Sequence, residues 1–146
     1  MSKDLVEIFS TRSIRATTAL GSELAARLRP GDCVALIGEL GAGKTAMVRG
    51  IALGLGLTDD KLVSSPTFVL VQEYPCRLKV FHIDLYRISG SPGELDSLGL
   101  REMLQAGVAL VEWADRAGEN LPRPRWQIEI FHTGPTSRRF EVKRIE

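Results

Sequence analysis

Residues 38–45 read Gly-Glu-Leu-Gly-Ala-Gly-Lys-Thr and match G-x-x-x-x-G-K-[ST] at every fixed position. Glycines let a backbone close around an anion where any side chain would collide with it. Successive amide N–H groups then form an anion nest. On this reading Glu39, Leu40, Gly41, Ala42 and Gly43 supply main-chain donors. Lys44 adds a mobile charge for β- and γ-phosphates, and Thr45 a hydroxyl for Mg²⁺. The pattern means this only between a strand and a helix, and both flanks agree. Cys33-Val34-Ala35-Leu36-Ile37 is a short apolar run that reads as a buried strand. Ala46 to Leu55 reads as a helix, with Met47, Val48, Ile51 and Leu55 at helical spacing and Gly54 and Gly56 as its stop. A helix beginning there turns its positive end toward the same anion.

The chain has 146 residues, 44% of them hydrophobic, which suits one domain spanning 1–146. Net charge is +1, from 19 basic and 18 acidic residues, so bulk charge gives no reason to bind nucleic acid. Arg123, Arg125, Arg138, Arg139, Lys143 and Arg144 collect near the end, and read either as a local basic patch or as a solvated surface. Cys33 and Cys76 have no metal-site spacing and suit a reducing compartment. There is no signal-peptide core at the start and no apolar run of membrane-spanning length. The expectation is a cytoplasmic protein without a membrane partner.

Leu5 to Phe9 alternates like an edge strand, and a helix is expected over about Thr17 to Leu28. Phe68 to Tyr74 and Leu78 to Asp84 read as an antiparallel hairpin turning at Pro75-Cys76-Arg77. Ser91, Pro92 and Glu94 read as cap, first turn and capping box of a helix running to about Leu104. Val108 to Val111 is a buried strand. Trp126–Phe131 and Phe140–Ile145 are two more, with Gly134-Pro135 at their turn. The expected fold class is α/β, a P-loop NTPase-like three-layer sandwich whose mostly parallel central sheet carries an antiparallel hairpin.

Triphosphate hydrolysis needs a carboxylate for Mg²⁺ and a group that places water. In residues 81–87 alternation puts Phe81, Ile83 and Leu85 on one face, and His82 with Asp84 on the other. Asp84, at a strand end, reads as a Walker-B acid or as a turn cap. Glu112 follows four apolar residues. It reads as a metal or water ligand, or as a surface partner of Arg116. Ser65-Pro66-Thr67-Phe68 has the position of a switch loop, in which the Thr67 hydroxyl would meet metal or water, or is simply a turn into a strand. His82 reads as a hydrogen-bonding residue at the core edge, and Trp113 as packing.

Taken together, the P-loop at 38–45, Ser-Pro-Thr-Phe at 65–68, His-Ile-Asp-Leu-Tyr-Arg at 82–87 and Val-Glu-Trp at 111–113 resemble the TsaE (YjeE) family. That resemblance implies a small ATPase, with ATP and Mg²⁺ as cofactors, that acts with TsaB and TsaD. TsaD transfers threonylcarbamoyl to N6 of adenosine-37 in tRNAs that read codons starting with A, so tRNA is an indirect partner. It implies that Lys44 and the loop amides bind phosphates, that Thr45 and Glu112 bind Mg²⁺, and that Asp84 is the acid near the metal. It also implies a threonine and an arginine flanking the nucleotide, for which Thr17 and Arg138 are the nearest matches. One departure is Ala46, where the family usually has a second threonine. Losing that hydroxyl removes about 1 kcal/mol of hydrogen bonding. Two rival readings are a small-molecule kinase, for which the length leaves little room for a lid, and a nucleotide-gated binding module with incidental hydrolysis. Asn-Lys-x-Asp is absent from the sequence, which favours ATP over GTP.

Overall fold

Apolar residues alternate along the central strands and divide the core in two. The computed structural model describes residues 5–39, 43–59, 61, 63, 71–86 and 91–146. Among these, seven strands form one sheet: β1 (Val6–Thr11), β2 (Cys33–Gly38), β3 (Val71–Tyr74), β4 (Lys79–Asp84), β5 (Gly107–Glu112), β6 (Arg125–His132) and β7 (Arg138–Ile145). Their order across the sheet is β1-β7-β6-β2-β5-β4-β3. The four middle strands are parallel, as expected for strands covered on both faces. Antiparallel pairing extends the sheet at both edges, through the expected β3–β4 hairpin and through β6–β7–β1.

On one face Val34 and Leu36 of β2, Val108 and Leu110 of β5, and Ile128 and Ile130 of β6 pack against α1 (Ile14–Ala25) and α2 (Lys44–Gly54). On the other, Cys33, Ala35, Ala109 and Val111 pack against α3 (Pro92–Leu98) and α4 (Leu100–Ala106). Phe81, Ile83 and Leu85 face this second layer, so the predicted alternation of β4 holds. Helix–sheet–helix layering is the three-layer arrangement that the strand and helix patterns imply.

Helix boundaries moved for local reasons. Helix α1 begins three residues before the expected Thr17, because the Ser13 hydroxyl accepts the Ala16 N–H at 3.0 Å and caps it there. It ends at Ala25, and the chain tightens through i→i−3 bonds at Arg27 and Leu28 as it approaches Pro30. The single helix expected over 91–104 is two. Gly99 adopts φ +83°, a left-handed conformation that ends α3 and starts α4. Ser91 caps α3 as predicted, accepting the Glu94 N–H at 3.3 Å. Both cysteines are free thiols, and burial pushes Cys33 up to about 12. No described helix is long and apolar enough to cross a membrane.

Candidate nucleotide site

Strand β2 ends at Gly38 and α2 begins at Lys44, so the motif joins a strand to a helix as its chemistry requires. Gly43, the N-cap of α2, adopts φ +107° and makes no side-chain capping bond. An L side chain is strained in that conformation, and the open cap leaves the first-turn N–H groups for a ligand. Glu39 is exposed at the start of the loop. Leu40, Gly41 and Ala42 lie outside the described residues, as do Thr67 and the rest of the predicted switch-like segment.

Lys44 is 5% exposed. Its Nζ donates to the Gly38 carbonyl at 2.7 Å and stands 3.4 Å above the Trp113 ring centre. Burial lowers its pKa from the ordinary lysine value, and the negative charges of Glu112, Asp84 and Asp115 partly offset this. Trp113 holds the left-handed conformation at φ +58°, the one described non-glycine residue to do so. Such a conformation costs about 1–3 kcal/mol and persists only where the surroundings enforce it. Here the indole is held between Lys44 and the Tyr86 ring, whose centre lies 5.0 Å away. Trp113 packs against the second core layer, as the sequence reading has it, and it also lines the cleft, which that reading did not anticipate. Its position directly after Glu112 was the available signal.

The two strand-end carboxylates lie on neighbouring strands. Glu112 ends β5 and Asp84 ends β4, opposite one another in the parallel ladder. Glu112 is 3% exposed, and it pairs with His82 rather than with Arg116. The Arg116 guanidinium lies over the Tyr86 ring instead. His82 is fully buried, with its Nδ1 2.8 Å from the Tyr74 hydroxyl and its Nε2 against Glu112 Oε2, in keeping with a hydrogen-bonding role. Asp84 caps a turn by accepting the Tyr86 N–H at 2.8 Å, yet it still contributes to the field at Lys44.

Thr17, Gly43, Lys44, Thr45, Ala46, Glu112, Trp113 and Arg138 line one cleft of about 670 Å³. Asp84 and Glu39 are not among its lining residues. Thr17 is 2% exposed and shares a 2.8 Å hydroxyl–hydroxyl bond with Thr11. Arg138 donates to the carbonyls of Gly134 and Ser137, which ties it to the β6–β7 turn. Arg12, Arg15 and Arg49 also line the cleft, and sequence reasoning did not single them out. Among the described residues, five basic side chains (these three, Lys44 and Arg138) thus line the cleft with one carboxylate, Glu112, in a chain of net charge +1. A cleft so biased, beside an open helix N-terminus, fits a polyanion such as a triphosphate.

Residues 11–140 match the family model described as threonylcarbamoyl adenosine biosynthesis protein TsaE. The chain belongs to the TsaE family. The tRNA threonylcarbamoyladenosine biosynthesis protein TsaE of Bacillus subtilis is 44% identical over 124 residues, covering 84% of this chain and 75% of that protein. The TsaE of Streptomyces coelicolor is 42% identical over 114 residues, 76% of each chain. The crystal structure of Bacillus subtilis YdiB superposes with a TM-score of 0.80 at 33% identity, covering 100% of this chain and 90% of that one. Ala46 leaves a buried methyl group on the first turn of α2, where it lines the cleft.

Proposed function

We propose that this TsaE chain is a P-loop ATPase. It binds ATP with Mg²⁺, hydrolyses it slowly, and supports TsaB and TsaD in forming N6-threonylcarbamoyladenosine at position 37 of tRNAs reading ANN codons. The observation that carries the reading is the convergence in one cleft of the open N-terminus of α2, Lys44, Thr45 and Glu112, ringed by further cations. The names of the curated relatives support the pathway. The setting expected for tRNA modification is the cytoplasm.

The first-turn N–H groups of α2 and Lys44 hold phosphate oxygens and meet the charge that grows on them during transfer. Lys44 leaves its contacts with Gly38 and Trp113 to do so. Arg138, anchored by its turn and close to Gly43, neutralises phosphate beside the N-terminus of α2. Thr45 and Glu112 would hold Mg²⁺, with Asp84, the ladder partner of Glu112, as the further acid near it. This all-oxygen donor set suits a hard cation, which usually takes one or two carboxylates together with substrate phosphates. Bound there, the ion would neutralise phosphate charge. Thr67 is assigned to placing the attacking water. Arg12, Arg15 and Arg49 supply further positive potential. Turnover without partners is slow.

The test is association of tagged chain with purified TsaB and TsaD in ATP, in ADP and without nucleotide. The reading predicts capture that depends on the nucleotide state. No association in any state would reject the pathway assignment while leaving the nucleotide site standing.

A further inference from the structure

A polar chain runs from β3, the edge strand of the hairpin, across β4 to Glu112 of β5 at the cleft. Glu112 lines the cleft, and its Oε2 meets His82 Nε2. A carboxylate only accepts, so Nε2 carries the hydrogen. The other ring nitrogen, Nδ1, is then the acceptor, and it lies 2.8 Å from the Tyr74 hydroxyl, which is also 2.7 Å from the Gln72 side-chain amide. His82 is 0% exposed and Tyr74 is 3% exposed, so water does not substitute for either contact. Gln72 and His82 are ladder partners in the β3–β4 pair, and Asp84 and Glu112 are partners in the β4–β5 pair. Three adjacent strands therefore hold the relay in place.

A glutamate at a strand end has three rotatable side-chain bonds and could swing its carboxylate several ways. Here one oxygen is tied to a ring that the neighbouring strand holds from behind. We propose that His82, itself held by Tyr74, is a positioning residue that fixes the orientation of Glu112 toward the metal-nucleotide site. The inference rests on the ATPase reading above. His82 touches neither nucleotide nor ion. It acts through Glu112, as partners of a ligating carboxylate do when they fix its orientation.

The two amide replacements of histidine separate this role from core filling. In His82→Gln the amide nitrogen reaches the place of Nε2 and keeps a donor for Glu112, whereas the shorter His82→Asn reaches only the place of Nδ1 and keeps a partner for Tyr74. Titration calorimetry of ATP into each full-length variant, with Mg²⁺ and with EDTA, reads the effect directly. With EDTA both variants match the parent chain, because Lys44 and the loop amides are intact. With Mg²⁺ His82→Asn loses about 10- to 100-fold of the metal-dependent affinity, the usual effect of removing such a partner. His82→Gln recovers most of it, and in His82→Asn KM rises with the lost affinity, because slow turnover makes KM report nucleotide dissociation. Equal Mg²⁺-dependent affinity in His82→Asn and parent would overturn the proposal, as would a larger loss in His82→Gln than in His82→Asn. If His82→Asn does not fold, Tyr74→Phe decides. It keeps the ring volume and should lose Mg²⁺-dependent affinity several-fold, and a value equal to the parent would count against the relay. A parent chain that takes up no ATP with Mg²⁺ would instead defeat the underlying ATPase reading.

Discussion

Lys44 reaches two groups that it must release before it serves a triphosphate. Its ammonium lies on the Trp113 ring and bonds to the Gly38 carbonyl, with its pKa lowered by burial. A phosphate that draws Lys44 away changes the surroundings of the indole. Trp126 is the other tryptophan of the chain, so the experiment uses a Trp126→Phe background. Addition of ATP with Mg²⁺ should change Trp113 emission, and Lys44→Met should abolish the response. The same substitution removes a charged hydrogen-bond donor worth about 1.5–3 kcal/mol, or roughly 10- to 100-fold in affinity. It also changes stability with pH. Between the lowered folded pKa and the ordinary lysine value, the unfolded chain binds more protons than the folded one. Stability of the nucleotide-free protein therefore rises with pH across that window. Denaturant titrations from neutral to alkaline pH should show this slope in the parent chain and a smaller one in Lys44→Met.

At the level of elements, the pairing of α1 with α2 sets how the loop meets the helix behind it. The two helices approach closely because glycines line their contact. A Cβ placed on Gly50 would lie 2.2 Å from the Thr18 carbonyl oxygen, and one on Gly21 2.8 Å from the Met47 carbonyl oxygen. The Ser22 hydroxyl adds a 2.9 Å bond to the Gly50 carbonyl. Alanine at position 50 would gain up to about 1 kcal/mol in helix propensity. It would also have to push α1 away, an overpacking cost of about 1–3 kcal/mol or more. Gly50→Ala should therefore destabilise the chain, by about 1–2 kcal/mol in urea unfolding. Stabilisation instead would show that the helices separate freely. None of this was legible in the sequence, where Gly50 sat unnoticed among the apolar residues of a helix. What the sequence did carry was the type of nearly every element, because apolar spacing reports which faces are covered. It carried boundaries less well. The Ser13 cap and the left-handed turn at Gly99 are single-residue events that the surrounding periodicity does not announce.

Across the whole molecule, the cleft assembles residues from distant parts of the chain. Thr17 comes from α1, Lys44 and Thr45 from α2, Glu112 and Trp113 from the end of β5, and Arg138 from the start of β7. The motif residues were readable because loop chemistry requires them at fixed spacing. Arg12, Arg15 and Arg49 were not, since only the packing of α1 against α2 brings their charges to the same cleft. His82 was readable as a hydrogen-bonding residue, but its partner was not, because Tyr74 and Glu112 meet it only across the sheet register. All these assignments rest on adenine nucleotide entering this cleft with a divalent ion. Titration calorimetry of ATP into the folded chain with Mg²⁺ tests that most directly. Saturable uptake at one site, weakened at least about tenfold by Lys44→Met, is the predicted result. Absence of uptake by folded protein, or uptake unchanged by Lys44→Met, would contradict it.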